Sequence, residues 1–307
     1  MRYQVTHRTT YTYDDEVTDS LGVAHLIPRD LPWQQVRGAS YLVELAPEPT
    51  DLSTSTDYHG NLVTYFQVVE PHRELVVTGR GAVDVVAPTA AEEHLARPWE
   101  GCRPIVEPTA AGAWQATDFA LASPAVPMHP GARDYAAESL RPGRPVGEAV
   151  TELMHRIHAD FSYDATATTV TSTVPEILQR RAGVCQDFAH FTLAGLRAHG
   201  LAARYVSGYL ATDPPPGRQR VVGADASHAW VSVWLGEGEW LALDPTNDQW
   251  QNDRYVTVAW GRDYGDVPPV KGVIFSEATT SAPTVSVDVA PLPADQPVPA
   301  TDQGDRR

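Results

Sequence analysis

The chain has 307 residues, 42% of them hydrophobic, with 39 acidic side chains against 23 basic and a net charge of −16. One domain takes about 100–200 residues, so two domains are expected. A surface this acidic repels phosphate backbones and argues against a nucleic-acid partner. The two cysteines, Cys102 and Cys185, are too few for a disulfide framework. The opening MRYQVTHRTTYTYDDE has no apolar core of a signal peptide, and no apolar run reaches the ~18 residues of a membrane span. A cytoplasmic protein with no membrane contact is expected.

Residues 1–86 read as strands. Tyr3, Val5, His7, Thr9, Tyr11 and Tyr13 recur at the period of two that a half-buried strand requires. SYLVEL at 40–45 is a second strand. Turn residues Asp57–Asn61 join STST to LVTYFQVVE as a hairpin, and ELVVTGRGAVDVV carries the pattern to Val86. A small antiparallel β domain with sheet packed on sheet is expected. From 87 to 145, repeated prolines break any long element and leave a connector with short helices, one near Ala132–Leu140.

A second domain spans 146–275. EAVTELMHRIHADF has the spacing of an amphipathic helix, PEILQRR follows with Pro175 in its first turn, and a third helix runs from Cys185 to about His199, stopped by Gly200. ARYVSGYLA, ASHAWVSVWL and EWLALD then read as strands. The whole is an α+β layout. The Pro-, Ala-, Thr- and Ser-rich segment 276–307 is expected to be a disordered tail.

Cys185 opens its helix directly after Gly183-Val184. Free N–H groups and the positive dipole end there stabilise a thiolate and an oxyanion. The plain alternative is a small buried hydrophobe. His228 begins one strand and Asp244 ends the next, with Gly236-Glu237-Gly238-Glu239 between them. Antiparallel neighbours joined this way bring the two side chains to one end of the sheet, where a carboxylate can orient an imidazole. They meet only if they share a face. A four-residue loop closed by Leu235 and Trp240 would separate them. Opposing Leu235 with Glu239 instead puts Asp244 across from Trp230 and makes His228 its same-face diagonal neighbour. A three- or five-residue turn, or a bulge, is therefore required.

The runs RRAGVCQDFAHFTLAGLRAHGLAARYVSGYL, GADASHAWVSVWL, GEWLALDPTND and YVTVAWGRDYGDVPPVKGV resemble the catalytic core of bacterial transglutaminase-like proteins. The β region before them resembles the domain that precedes this core. The resemblance implies a papain-like fold, with Cys185 as nucleophile, His228 as base and Asp244 as orienting carboxylate. It implies a Cys thioester acyl-enzyme, formed from an amide-bearing protein, peptide or small molecule and resolved by an amine or water. The rivals are a cysteine peptidase of the same fold and a non-catalytic binding module. Animal transglutaminases use an upstream tryptophan as an oxyanion donor. Between Trp114 and Cys185 none is present, so Tyr163 is the candidate for that role.

Asp187 and His190 on the Cys185 helix, and Asp225 before His228, are candidate supports of the site; Arg197 joins the first two in one polar stripe. His155 and His158 share a helix face and, without further ligand-type partners, read as a solvated pair rather than a metal site. Cys102 lacks a nearby base and reads as inert. No cofactor is expected.

Overall fold

The computed structural model describes residues 1–37, 41–167, 171–212 and 227–293. Its N-terminal part holds β1 (Arg2–Ala24), β2 (Gln34–Val36), β3 (Leu42–Ala46), β4 (Asp51–Thr56), β5 (Leu62–Val68) and β6 (His72–Val85). The alternation that begins at Tyr3 continues well past Tyr13, so β1 is a single strand of 23 residues. Its first half pairs with β6 and its second half with β5, with an irregularity between Thr12 and Val17. The expected sheet-on-sheet packing is thus made by one hydrogen-bonded sheet folded along β1. Leu75 and Val77 of one half pack with Phe66 and Val68 of the other.

The connector carries α1 (Glu92–Leu95), a 3-10 turn at Trp99–Cys102, α2 (Ala113–Asp118) and α3 (Pro130–Ala137). Trp99, Cys102, Ala132 and Tyr135 join the main core, so this stretch is packed into the second unit. Then come α4 (Val146–Asp160), β7 (Ser162–Tyr163), α5 (Val174–Arg180), β8 (Ala182–Gly183) and α6 (Cys185–Arg197). Thr173 and Glu176 close the start of α5 through Thr173 N–H to the Glu176 carboxylate at 2.9 Å. Helix α6 is buried on nearly all sides. It packs on an antiparallel sheet ordered β12-β11-β10-β9-β13, formed by β9 (Ala203–Leu210), β10 (Ser227–Gly236), β11 (Glu239–Asp244), β12 (Gln249–Trp250) and β13 (Tyr255–Gly261).

The N-terminal unit docks on the edge strand β13 through two side-chain amides. Gln34 donates to Thr257 O at 2.7 Å and accepts from Thr257 N at 2.8 Å. The fully buried Asn61 does the same for Trp260, at 2.8 and 2.9 Å. Each amide satisfies a backbone pair that an edge strand otherwise leaves open.

The chain then returns to the first sheet. Strands β14 (Val270–Ser276) and β15 (Ser281–Pro291) both pair with β1. The disordered tail expected from 276 is therefore wrong for 281–291. Its TVSVDVA stretch alternates, and Val287 and Val289 are fully buried while Val285 is 52% exposed. The apolar face was sparse, but β1 offered it a complete ladder. Residues 294–307 lie outside the described residues.

Replacing Val287 and Val289 together by alanine removes about four buried methyl-sized groups, so chemical denaturation is expected to show a loss of roughly 3 kcal/mol. Val285→Ala is expected to change stability by less than about 0.5 kcal/mol. Equal effects from the two variants would restore the disordered tail.

Candidate active site

Cys185 occupies the first position of α6 and is half-buried. Asp187, two residues on, is fully buried and caps the helix start by accepting from Val184 N at 2.8 Å. A β-carbon on Gly183 would lie 2.5 Å from that carboxylate oxygen. Glycine is thus required by the close approach of the cap, which holds the first turn in place. Helix α6 buries its apolar residues against the sheet, so the Cys185 backbone N–H opens at a fixed helix end.

The hairpin β10–β11 settles the parity question. Val231 opposes Leu243, Ser232 opposes Ala242 and Trp234 opposes Trp240, an even register, and Gly236 opposes Glu239 after a shift of one. Glu237 and Gly238 form a two-residue turn with φ of 55° and 85°, and the extra residue sits at Leu235 as a bulge. The next pair in this register is Trp230 with Asp244, which leaves His228 and Asp244 on one face. Their side chains meet, with His228 Nε2 2.6 Å from Asp244 Oδ2.

Asp244 is fully buried. Oδ2 also accepts from Tyr255 Oη at 2.7 Å and from Asn247 Nδ2 at 2.7 Å. Oδ1 accepts from the backbone N–H groups of Thr246 and Asn247, at 2.9 and 3.2 Å. Burial acts to raise this carboxyl, but the hydrogen bonds outweigh it and hold the group below the usual carboxylate range. For His228, burial alone would lower the imidazole. The hydrogen bonds to Asp244 and to Cys185, together with their charges, reverse this and raise it to about 10. Nε2 faces Asp244, so Nδ1 is the nitrogen left for the sulfur. Trp230 stacks beside the imidazole at 6.0 Å, and Tyr255 packs across both rings. A β-carbon on Gly208 would meet Trp230 at 2.6 Å, so the strand opposite His228 makes room for the indole.

The other sequence candidates fall at different distances from the dyad. Tyr163 sits in β7, which pairs in parallel with β8 just before Cys185. Its ring is 63% exposed, and partial burial and then the Cys185 charge raise its hydroxyl. Asp187 caps α6 rather than touching the imidazole. His190 is buried, accepts from Tyr264 N at 3.2 Å and packs on Tyr205; burial lowers it to about 4. Arg197 is held by the carbonyls of Ala203 and Arg262. Asp225 lies outside the described residues. His155 and His158 are not merely solvated. They bond to the Asp248 carboxylate and the Thr246 carbonyl, latching α4 to the turn that feeds Asp244. Cys102 is fully buried, and burial pushes its thiol up to about 11.

Tyr255, Asn247 and Thr246 were not singled out from the sequence. The Asp-Pro-Thr-Asn order carried a signal for two of them, since an Asp side chain commonly accepts from backbone N–H groups two and three residues on. Nothing local marked Tyr255.

Residues 3–84 match the bacterial transglutaminase-like N-terminal region, and residues 133–245 match the transglutaminase-like superfamily. A Mycobacterium tuberculosis protein of uncharacterised function is 47% identical over 301 residues, covering 96% of this chain and 94% of its own. A protein-glutamine gamma-glutamyltransferase of Pseudomonas aeruginosa is 35% identical over 127 residues, which is 39% of this chain and 19% of that protein. In fold, a Cytophaga hutchinsonii protein provisionally named a cysteine protease aligns with a TM-score of 0.72 at 17% identity, covering 95% of this chain and 92% of its own. The architecture is therefore a papain-like α+β core behind an N-terminal β unit. The chain belongs to the transglutaminase-like superfamily.

The raised His228 has a defined pH consequence. An unfolded histidine titrates near about 6.5, so the proton is held more tightly in the folded state. Its stabilisation is complete below pH 6.5 and is lost as pH rises through about 10. NMR of the ring nitrogens is expected to show His228 as imidazolium at pH 8. In Asp244→Asn burial dominates, and the ring is expected to be neutral at that pH. An imidazolium retained in the variant would mean that Asp244 does not hold the charge.

Proposed function

We propose that this protein is a thiol enzyme that takes an acyl group from an amide onto Cys185 and passes it to an amine or to water. The observation that carries this reading is the buried His228–Asp244 pair beside the half-buried Cys185 at a helix start. A structural histidine needs no carboxylate held by so many donors. A triad base does, because its orientation and its imidazolium both depend on that charge.

The steps balance with these groups alone. The reactive state holds the thiol's proton on His228 as an imidazolium beside the Cys185 thiolate, and the sulfur attacks the amide carbonyl carbon. The oxyanion is met by the Cys185 backbone N–H and, as a second donor, by the Tyr163 hydroxyl. His228 returns the proton to the leaving nitrogen, the C–N bond breaks, and a thioester remains. An amine or water then attacks the thioester. His228 takes the incoming proton, the C–S bond breaks, and the thiol is restored. Identity to the Pseudomonas glutamyltransferase over 127 residues supports an amide as donor and an amine as acceptor.

Iodoacetamide near pH 6 is expected to label Cys185 much faster than Cys102, which is buried and holds its proton to about pH 11. With a glutamine-containing peptide and a dansylated amine, wild type is expected to incorporate the amine and release ammonia. Cys185→Ala is expected to do neither, and Asp244→Asn to lose roughly three to four orders of magnitude in rate while staying folded. Ammonia release without incorporation would mark a hydrolase, and cleavage of the peptide backbone a peptidase. Equal labelling of both cysteines together with no turnover would mark a binding module.

A further inference from the structure

A second feature lies on the same face of the catalytic sheet, away from Cys185. Arg204 of β9 is 7% exposed. Its guanidinium lies 4.1 Å from the ring centre of Trp240 and 3.6 Å from that of Trp260. Arg29 covers the opposite face of Trp260 at 3.6 Å. Among the described residues Arg204 has no hydrogen-bond acceptor and no carboxylate partner, and Nε is fully enclosed. Burial, and next the neighbouring Arg29 charge, both act to lower its affinity for its proton.

Arg204 lines a small cavity with Trp33, Ser232, Trp240, Gln251 and Trp260. The Trp33 indole N–H is also buried without an acceptor. Guanidinium and indole are donor-only groups, so two donors around one cavity both lack the same thing. The two indole faces attract the cation, but they accept no hydrogen bond from it, and a buried charge without a counter-group stays costly. The cavity has room for about 20 Å³, the space of one water or one small ion. It shares Pro88, Trp240, Ala242 and Gln251 with a neighbouring cleft of about 260 Å³ walled by Trp250. A small anion can therefore sit inside alone, or as the head of a molecule whose body lies in the cleft.

We propose that this cavity binds a small singly charged anion, a halide or a carboxylate head, with Arg204 as its charged partner and the Trp33 N–H as a second donor. The site is separate from the Cys185 chemistry and does not depend on it.

The test is thermal unfolding of the full chain in sodium isethionate, a sulfonate with no carboxylate head and too bulky for the cavity, with acetate or chloride replacing isethionate at constant ionic strength. Wild type is expected to show a saturable Tm rise of roughly 2–5 °C. A rise with acetate alone identifies a carboxylate site, and a rise with chloride identifies a halide site. Arg204→Met is expected to lose the rise. Trp33→Phe keeps the charge, removes one donor, and is expected to raise the half-saturating concentration severalfold. It decides the matter if Arg204→Met does not fold. No saturable rise in wild type, or half-saturation unchanged in Trp33→Phe, overturns the proposal.

Discussion

The transglutaminase-like half of this structure is organised around one buried carboxylate. An ionised group with no exposure is tolerated only when its lone pairs are filled. Asp244 is filled from the imidazole of β10, the hydroxyl of β13 and the turn that follows β11. Each donor fixes one element. The turn cannot open without uncovering Oδ1, β13 cannot slide without withdrawing Tyr255, and β10 cannot slip by one residue without turning His228 to the other face. The bulge at Leu235 keeps that register compatible with a tight two-residue turn. The latch from His155 and His158 extends the same constraint to α4.

Much of this was legible in the sequence because it is local. Cys185 announces itself by opening an apolar helix after a glycine. His228 and Asp244 are placed by the ends of two adjacent strands, and counting reduced their shared face to one condition, an odd turn or a bulge, which the bulge at Leu235 meets. The supports were harder to read. Tyr255 reaches Asp244 from a strand at the far side of the sheet, and no spacing rule links the two positions. The histidines of α4 looked solvated because their partners, Asp248 and Thr246, come from a turn 93 and 88 residues later. Strand β15 was misread for a compositional reason. Proline, serine and threonine outweighed three alternating valines, and the partner that makes the strand worthwhile is the first one in the chain.

The same limit applies to the union of the two units. Gln34 and Asn61 are ordinary polar residues in sequence, yet each presents an amide that copies the hydrogen-bonding pattern of a peptide group to β13. Among the described residues the second sheet ends at that strand, and side chains rather than another strand complete it. This ties the N-terminal unit to the strand that carries Tyr255, two residues before Thr257. The β unit thereby contributes to the setting of Asp244 without touching it.

The pairing of β1 with both β14 and β15 has a consequence for how the chain is made. Cys185, His228 and Asp244 are enclosed between the first strand of a sheet and its last two. β1 leaves the ribosome well over two hundred residues before its outer partners β14 and β15. At about 5–20 residues per second, one side of a long strand rich in threonine and tyrosine stays bare for roughly 10–60 s of synthesis. Open edges of this kind recruit other strands. A nascent chain that stalls between β1 and β14 therefore carries an association-prone edge already exposed, and only the arrival of β14 and β15 hides it.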